Sequence, residues 1–404
     1  MQTGGFTDIE GEVASTATEL VDRYSLLIVL GDGGVGKTSI AAGLAGIAGG
    51  DGKRVLCVTV DPSNRLRTAL GLREQSGIEE DVPLDRFGFR GSGGVFRAMV
   101  LDANYELQRL ISRFVKDEQT RERILKNPFF NEAARLSGTH EYMAMLRVFE
   151  ALQSEGYDLV VLDTPPDEHA LQFLDAPQRV QNLLSNEVFR RFVFASSGVS
   201  KVGLKVLRWR KLILGGLAKI AGQDAIFSVL DFMLSLAPIF ELVQERAKAV
   251  REMVLGPKAS AVVVFRPSLR CEERLFSKIS LLRSKGIKVS GVFANKVYVW
   301  EGGTRLDVGV DTIKDAFATE PAFGLLGPQE VQRLASRCIM LAALLKDISE
   351  RDRANIEKCR KGLGNIPLFV VPLMGQDIGD LESLAEFSRV LKMSMQSFVG
   401  HPEG

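Results

Sequence analysis

Residues 31–39 read GDGGVGKTS, a Gly-x4-Gly-Lys-Thr pattern placed between two different kinds of sequence. The apolar run SLLIVL (25–30) before it predicts a buried strand, and TSIAAGLAGIAG (38–49) after it predicts a helix built from small residues. Backbone N–H groups at the start of such a helix attract anions. The pattern therefore predicts an α/β fold in which this loop lies at the carboxyl end of a strand.

Further apolar runs alternate with helical patterns and also predict strands. They are RVLCVTVD (54–61), YDLVVLD (157–163), ASAVVVF (259–265), KVSGVFAN (288–295) and IPLFVVPL (366–373). Near-continuous apolar runs are typical of strands that are covered on both faces, and their alternation with helices indicates a doubly wound, mainly parallel sheet. We therefore predict an α/β fold of the P-loop type.

Long helical patterns interrupt the alternation at about residues 102–150 and 175–255. We interpret both as helical insertions, which give the fold an inserted helical subdomain. We predict an N-terminal extension at residues 1–22 and one P-loop domain at residues 23–404. Since a second Gly-x4-Gly-Lys-Thr pattern is absent from the sequence, the chain is not a tandem duplication.

Composition excludes several classes of protein. The formal net charge is +1 at pH 7, which gives no global electrostatic reason to expect a nucleic-acid partner. The four cysteines lie far apart without a CxxC pair, so they predict neither a zinc site nor a redox motif and fit a reducing cytosol. The first residues lack the apolar core of a signal peptide, and no apolar run is long enough to span a membrane. We expect a cytoplasmic protein with at most peripheral membrane contact.

The glycine-rich loop has the residues that phosphate binding needs. Gly31 and Gly36 let backbone N–H groups approach phosphates closely. Lys37 would reach the β and γ phosphates of a nucleotide, and the Thr38 hydroxyl would reach Mg²⁺. An ordinary glycine-rich turn is the alternative, but it does not account for the strand, the lysine, the threonine and the helix together.

Two aspartates end predicted strands at the same edge of the sheet. Asp61 could polarise an attacking water, or it could cap a helix or turn before Pro62, and the residues alone leave both interpretations open. Asp163 fits the acid that holds Mg²⁺ through water in P-loop proteins.

Several motifs together resemble one family. The loop, with Gly33, Gly34 and Val35, resembles the deviant Walker A loop of the MinD, ParA and arsenite-pump ATPases, which are SIMIBI-class P-loop proteins. Other segments resemble, in the same order, motifs of the arsenite-pump (ArsA-type, anion-transporting) and tail-anchored-protein-targeting ATPases. They are VDPSNRL (60–66), SGTHEYMAM (137–145), DTPPDEHALQFLDAP (163–177), ANKV (294–297) and VPLMGQDIGDLESL (371–384). The resemblance covers almost the whole chain.

The resemblance implies a site for ATP and Mg²⁺. The residues implied to bind the phosphates are Gly33, Gly34, Val35, Gly36, Lys37, Thr38 and Ser39. Lys37 and Asp61 would be catalytic, with Asp61 positioning the water, and Thr38 and Asp163 would hold Mg²⁺. Asn295 would read adenine, and Pro372 and Leu373 would lie beside the base. Residues 163–169 would form a switch that senses the γ-phosphate, and His140 and His169 would have structural or switch roles.

The resemblance also implies a function. It predicts a cytoplasmic, homodimeric, Mg²⁺-dependent ATP hydrolase or ATP-driven switch that opens and closes a helical client-binding region. Residues 201–240 would form a groove for an apolar helix or membrane-protein client; alternatively, their apolar side chains pack in the core or the dimer interface. The basic part of this segment could instead lie on a membrane surface. Other functions left open are a nucleotide-gated chaperone or scaffold with negligible hydrolysis, and a ParA- or MinD-like positioning ATPase.

The sequence departs from the family at two places. No cysteine occurs in YVWEGGTRLDVGV (298–310), so we do not expect the zinc that joins some family dimers. Asp32 occupies a position where the family usually has a lysine that reaches the partner's phosphates. Three interpretations stay open: Asp32 points outward and pairs with a cation of a partner subunit, hydrolysis is slow because one cation is missing, or nucleotide function is lost.

Overall fold

The sheet determines where every candidate residue lies. The structure is a computed structural model that describes residues 17–60, 65–73, 77–87, 93–127, 130, 138–165, 175–182, 236–300, 310–323 and 326–396. Eight strands form one sheet in the order β3-β4-β2-β5-β1-β6-β7-β8. The strands are β1 (Leu26–Gly31), β2 (Arg54–Thr59), β3 (Glu80–Asp81), β4 (Val95–Val100), β5 (Leu159–Asp163), β6 (Ala259–Phe265), β7 (Val289–Val297) and β8 (Leu368–Pro372). Each neighbouring pair is parallel except β3 and β4.

Helices connect the strands and cover both faces of the sheet. They are α1 (Ala17–Arg23), α2 (Lys37–Gly50), α3 (Arg65–Leu70), α4 (Ala103–Phe114), α5 (Glu118–Leu125), α6 (Thr139–Ser154), α7 (Ala237–Leu255), α8 (Cys271–Ser284), α9 (Val310–Thr319), α10 (Pro328–Gly362) and α11 (Leu381–Gln396). Residues 175–182 are also helical. The hydrophobic core has two parts, one on each face of the sheet. On one face the strands pack with α2 and α11, and on the opposite face they pack with α4, α6, α7 and α8. The predicted doubly wound, mainly parallel α/β fold is therefore confirmed.

The strands missed by the sequence analysis lie at one edge of the sheet. All six predicted strands occur, with ends that differ by a few residues, but β3 and β4 were not predicted. Among the described strands, only the two-residue β3 lies outside β4, and several side chains of β4 are half-exposed. One of them is Arg97, which pairs with Asp81 of β3 at 2.7 Å. A strand of this kind does not show the continuous apolar run that the other strands have.

The described residues also bear on the predicted domain layout. The last part of the predicted extension forms α1, whose Leu20 and Val21 are fully buried in the core. The stretch 102–150 contains α4, α5 and α6, of which α4 and α6 pack on the sheet. Residues 183–235, which include most of the proposed client segment, lie outside the described residues. The domain boundaries therefore stay predictions.

A further helical segment, which the sequence analysis did not predict, lies between β7 and β8. It consists of α9 and α10, which pack on each other, and α10 is 35 residues long. The end of α10 packs against α8 and β7, and Ile356 and Cys359 are buried there. Among the residues that the structure describes, no helix is both long and apolar enough to cross a membrane.

Candidate functional site

The glycine-rich loop lies where the order of the strands reverses. It joins the end of β1 at Gly31 to the start of α2 at Lys37, and β1 lies between β5 and β6. A Cβ at Gly31 would lie 2.2 Å from the carbonyl oxygen of Val264 in β6, so no larger residue fits there. Such a reversal point, at the carboxyl ends of parallel strands, is the usual ligand position in doubly wound folds.

The lysine of the loop is held by loop carbonyls. Lys37 is buried, and its Nζ donates to the carbonyl oxygens of Gly31 at 2.9 Å and Asp32 at 3.0 Å. The ammonium group therefore lies inside the curve of the loop. Of the other predicted loop residues, Gly33 and Gly34 are exposed, Val35 is buried, and Ser39 is half-buried in the first turn of α2.

A buried carboxylate lies directly behind the loop. Asp163, at the end of β5, is fully buried, and its Oδ2 accepts hydrogen bonds from the hydroxyls of Thr38 at 2.8 Å and Thr59 at 2.9 Å. Burial, and then the nearby charge of Asp163, raise the pKa of the Cys57 thiol on β2. The two residues predicted to hold Mg²⁺, Thr38 and Asp163, are thus brought together.

This donor set is suited to magnesium. A hydroxyl and a carboxylate are the hard oxygen ligands that Mg²⁺ prefers, and it commonly takes its remaining ligands from phosphate oxygens and water. In the described part of the chain, no group of three or more His, Cys, Asp or Glu side chains converges as a metal site. A protein cage of that kind is not needed for Mg²⁺ that is shared with a nucleotide.

A bulge in β7 turns two side chains toward the loop. The register between β7 and β8 shifts between Ala294 and Val297, and Lys296 has a left-handed φ of 60°. Asn295 is buried, and its Nδ2 donates to the Val35 carbonyl oxygen at 2.8 Å. Lys296 Nζ donates to the Gly34 carbonyl oxygen at 3.0 Å. The sequence predicts Asn295 as an adenine contact, but it reveals neither this bracing of the loop nor the role of Lys296 in it.

Asp32 is paired within its own chain. Its carboxylate forms ion pairs with Lys278 and, at 3.4 Å, with Arg274, and both cations belong to α8. Since α8 and α2 pack on opposite faces of the sheet, the Asp32 side chain is turned away from the helix that begins at the loop. The three residues line a cleft together with the end of β6.

Several other predicted residues can be located. Pro372 ends β8, and the N–H of the half-exposed Leu373 donates to the Val297 carbonyl oxygen at 2.8 Å, so both lie at the same edge as Asn295. Asp61 and residues 166–174, which include His169, lie outside the described residues.

Residues 138–145 of the SGTHEYMAM motif include the start of α6. The Glu141 carboxylate accepts from the Gly138 N–H at 2.8 Å and so caps this helix. Burial lowers the pKa of His140 in the same turn. Further along the motif, the Tyr142 hydroxyl donates to the Val243 carbonyl oxygen at 3.0 Å. The structural or switch role of His140 stays a prediction.

We predict that Gly36→Ala destabilises the fold more than Gly34→Ala. Both glycines have left-handed φ angles, 94° and 75°, so alanine has a similar backbone cost of about 1 kcal/mol at either position. At Gly36 the new Cβ would lie 2.3 Å from Nδ2 of Asn295, whereas no described atom lies within 4 Å at Gly34. Urea denaturation should show an additional loss of at least about 1 kcal/mol for Gly36→Ala. Equal losses would contradict the close contact with Asn295.

Comparison with known proteins agrees with this geometry. A family model described as "Anion-transporting ATPase" matches residues 24–302, which is more than half of the chain. An "ATPase get3" from Schizosaccharomyces japonicus is 29% identical over 173 residues, which are 42% of this chain and 50% of the relative. An "ATPase GET3" from Malassezia globosa is 27% identical over 231 residues, or 56% and 62% of the two chains.

A third relative, an "ATPase GET3" from Phaeosphaeria nodorum, is 24% identical over 261 residues, which are 61% of this chain and 77% of the relative. The chain spans about half the length of the first curated relatives that it matches. The extent of the family match nevertheless settles the family. This chain belongs to the anion-transporting ATPase family.

Proposed function

We propose that the chain is a Mg²⁺-dependent ATP hydrolase that works as a nucleotide-driven switch. One observation carries the proposal: the Thr38 hydroxyl donates to the buried Asp163 carboxylate at 2.8 Å, directly behind the glycine-rich loop. The same loop holds a buried lysine and opens a helix. A phosphate-binding loop, a lysine and a pair of oxygen ligands for the metal are the parts that phosphoryl transfer in P-loop proteins requires.

Each residue has a distinct role in this proposal. The backbone N–H groups of residues 33–36 and the start of α2 bind the phosphates, and Lys37 moves from the loop carbonyls to the β and γ phosphates. Thr38 and Asp163 would hold Mg²⁺, whose charge would stabilise the negative charge on the phosphate oxygens. Ser39, in the first turn of α2, contacts the phosphates, and Asp61 positions the attacking water.

The base of the nucleotide would lie at the ends of β7 and β8. Asn295 uses one amide hydrogen on Val35, and its side-chain oxygen and second hydrogen can serve the adenine edge. Pro372 and Leu373 lie on the neighbouring strand end and supply an apolar surface beside the base. The Asn295 amide thus joins the phosphate end of the site to its adenine end.

We predict that Thr38→Val lowers the rate of phosphate release from Mg·ATP at least about 100-fold, because it removes a metal-facing hydroxyl. Thr59→Val is the matched variant: it removes a hydroxyl that contacts the same oxygen of Asp163 but lies outside the loop, so we expect less than a tenfold loss. Lys37→Ala measures contaminating activity, and chelation of Mg²⁺ should abolish release. Similar losses in the two threonine variants would contradict the metal role of Thr38.

A second function, a switch or scaffold with negligible hydrolysis, is favoured by the ion pairs of Asp32. In the family that the sequence resembles, a lysine at this position reaches the partner's phosphates, whereas Asp32 is held by Lys278 and Arg274 of its own α8. One phosphate-binding cation is then missing, and hydrolysis would be slow. Tight binding of a fluorescent ATP analogue without phosphate release would establish this second function.

We predict opposite effects of removing the two charges of the Asp32–Lys278 pair. Asp32→Asn removes a negative charge from the phosphate-binding loop and should tighten Mg·ATP binding about fivefold, equivalent to about 1 kcal/mol. Lys278→Gln leaves the Asp32 charge less well neutralised and should weaken binding by a similar factor. Both effects should shrink as the salt concentration rises. If both variants weakened binding, Asp32 would be a mechanical tether of the loop instead of an electrostatic element.

We further propose that the active form is a cytoplasmic homodimer that ATP closes and hydrolysis reopens. The family membership supports this, as does the position of Gly33 and Gly34 on the exposed side of the loop, where a second subunit can reach it. The client-binding role of residues 201–240 rests on the sequence, because these residues lie mostly outside the described ones.

We predict that sedimentation measurements give twice the mass of one chain when ATP and Mg²⁺ are present, and that Gly36→Ala shifts the protein toward the single chain. A chain that stays monomeric at saturating nucleotide would contradict the closed dimer.

The client site can be tested separately by crosslinking an apolar helical peptide to the protein. Crosslinks outside residues 201–240 would contradict the proposed client site.

A further inference from the structure

Two of the four cysteines meet although they are 88 residues apart in the chain. Cys271 is the first residue of α8, and Cys359 lies in the last turn of α10. Their sulfur atoms are 3.7 Å apart, and both side chains are buried. The spacing of the cysteines predicts no redox motif, because this pair comes together only where α8 packs against α10.

The two thiols are chemically different. The sulfur–sulfur contact with Cys359 has the largest effect on Cys271 and lowers its pKa. Hydrogen bonds with backbone groups at Ser268 and Glu272 and the charge of Arg274 act in the same direction and outweigh burial. The position at a helix N-terminus also favours a thiolate. The hydrogen bond to Cys271, followed by burial, raises the pKa of Cys359. Cys271 is therefore the more readily ionised of the two thiols.

The two thiols also differ in access. Cys271 forms part of the wall of the cleft that contains Asp32, Arg274 and Lys278, and Arg274 is half-exposed at its edge. Cys359 is fully buried behind Cys271. A small oxidant that enters the cleft therefore meets Cys271 before Cys359. A thiol that lines a cleft, next to a second thiol that can resolve its oxidised form, is an arrangement found in reversible redox sites.

We propose that Cys271 and Cys359 form a redox site that a small peroxide converts to a disulfide. The Cys271 thiolate attacks one peroxide oxygen and becomes a sulfenic acid, and the other oxygen leaves as hydroxide and takes up a proton to form water. The sulfur of Cys359 then attacks the sulfenic sulfur, and the S–OH oxygen leaves with the Cys359 proton as a second water. Two electrons pass from the two sulfurs to the peroxide, and a dithiol reductant reverses the change.

The geometry favours this pair over the other two cysteines. A disulfide has a sulfur separation of about 2.05 Å, so the two atoms must approach by only about 1.7 Å. Cys338 also lies on α10, but at 1.5 Å per residue it is about 30 Å from Cys359 along the helix. Cys57 is buried in β2, and burial raises its pKa, so it is a poor nucleophile.

The test is peptide mapping of the full, reduced chain after treatment with hydrogen peroxide. We expect two of the four thiols to disappear, the chain to lose two hydrogens, and one crosslinked peptide to join Cys271 to Cys359. Dithiothreitol should restore all four thiols. The proposal would be overturned if Cys271 and Cys359 kept their thiols under peroxide treatment that oxidises surface methionines. A crosslink between other cysteines would also overturn it. Nucleotide is absent, so the result does not depend on ATP hydrolysis.

Variants separate the two steps. In Cys359→Ser the resolving thiol is lost, and Cys271 should accumulate as a sulfenic acid that dimedone labels. In Cys271→Ser, Cys359 should remain a thiol under the same treatment. Cys338→Ser is the matched control on α10 and should form the crosslink as the unmodified chain does. Dimedone labelling of Cys359 in place of Cys271 would show that the attacking and resolving roles are the other way round. If a variant does not fold, the peptide map of the unmodified chain decides the proposal.

Discussion

The hydrogen bond from the Asn295 amide to the Val35 carbonyl oxygen joins two parts of the chain that are 260 residues apart. On one side of this bond is the glycine-rich loop, and on the other is β7, which lies two strands away from β1 in the sheet. The bond is short enough only because residue 36 has no Cβ. The loop is therefore shaped from outside by a distant strand, as well as from inside by its own glycines and by Lys37.

A second constraint is the burial of the Asp163 carboxylate. An ionised group without water is costly unless hydrogen bonds compensate for the lost hydration. Here the hydroxyls of Thr38 and Thr59 supply them, one from the loop helix and the other from the neighbouring strand. The carboxylate thus fixes the start of α2 relative to β2 and β5. The same contacts that make burial of the charge tolerable also place the oxygen atoms that a magnesium ion would use.

The sequence predicted the centre of the sheet well and the contacts between distant segments poorly. Strands such as β6 are apolar along their whole length because both faces are covered, and that pattern can be read directly from the residues. β4 has partly exposed positions and does not show that pattern. The partners of Asp32 and the approach of Cys271 to Cys359 depend on how α8 packs, which no local pattern reveals. Lys296 was missed because only the bulge in β7 turns it toward the loop.

The strand that holds the loop also holds the base of α10. Just after β7, the Tyr298 N–H donates to the Asp352 carboxylate at 3.0 Å, and the Trp300 N–H donates to the Ser349 hydroxyl at 3.2 Å. From Asp352 to its first residue, Pro328, the helix extends about 36 Å at 1.5 Å per residue. By simple geometry, a rotation of about 10° at the base would move that far end by about 6 Å. The same rotation would move the backbone beside Tyr298 far less, so the far end of a rigid rod would show most of the displacement.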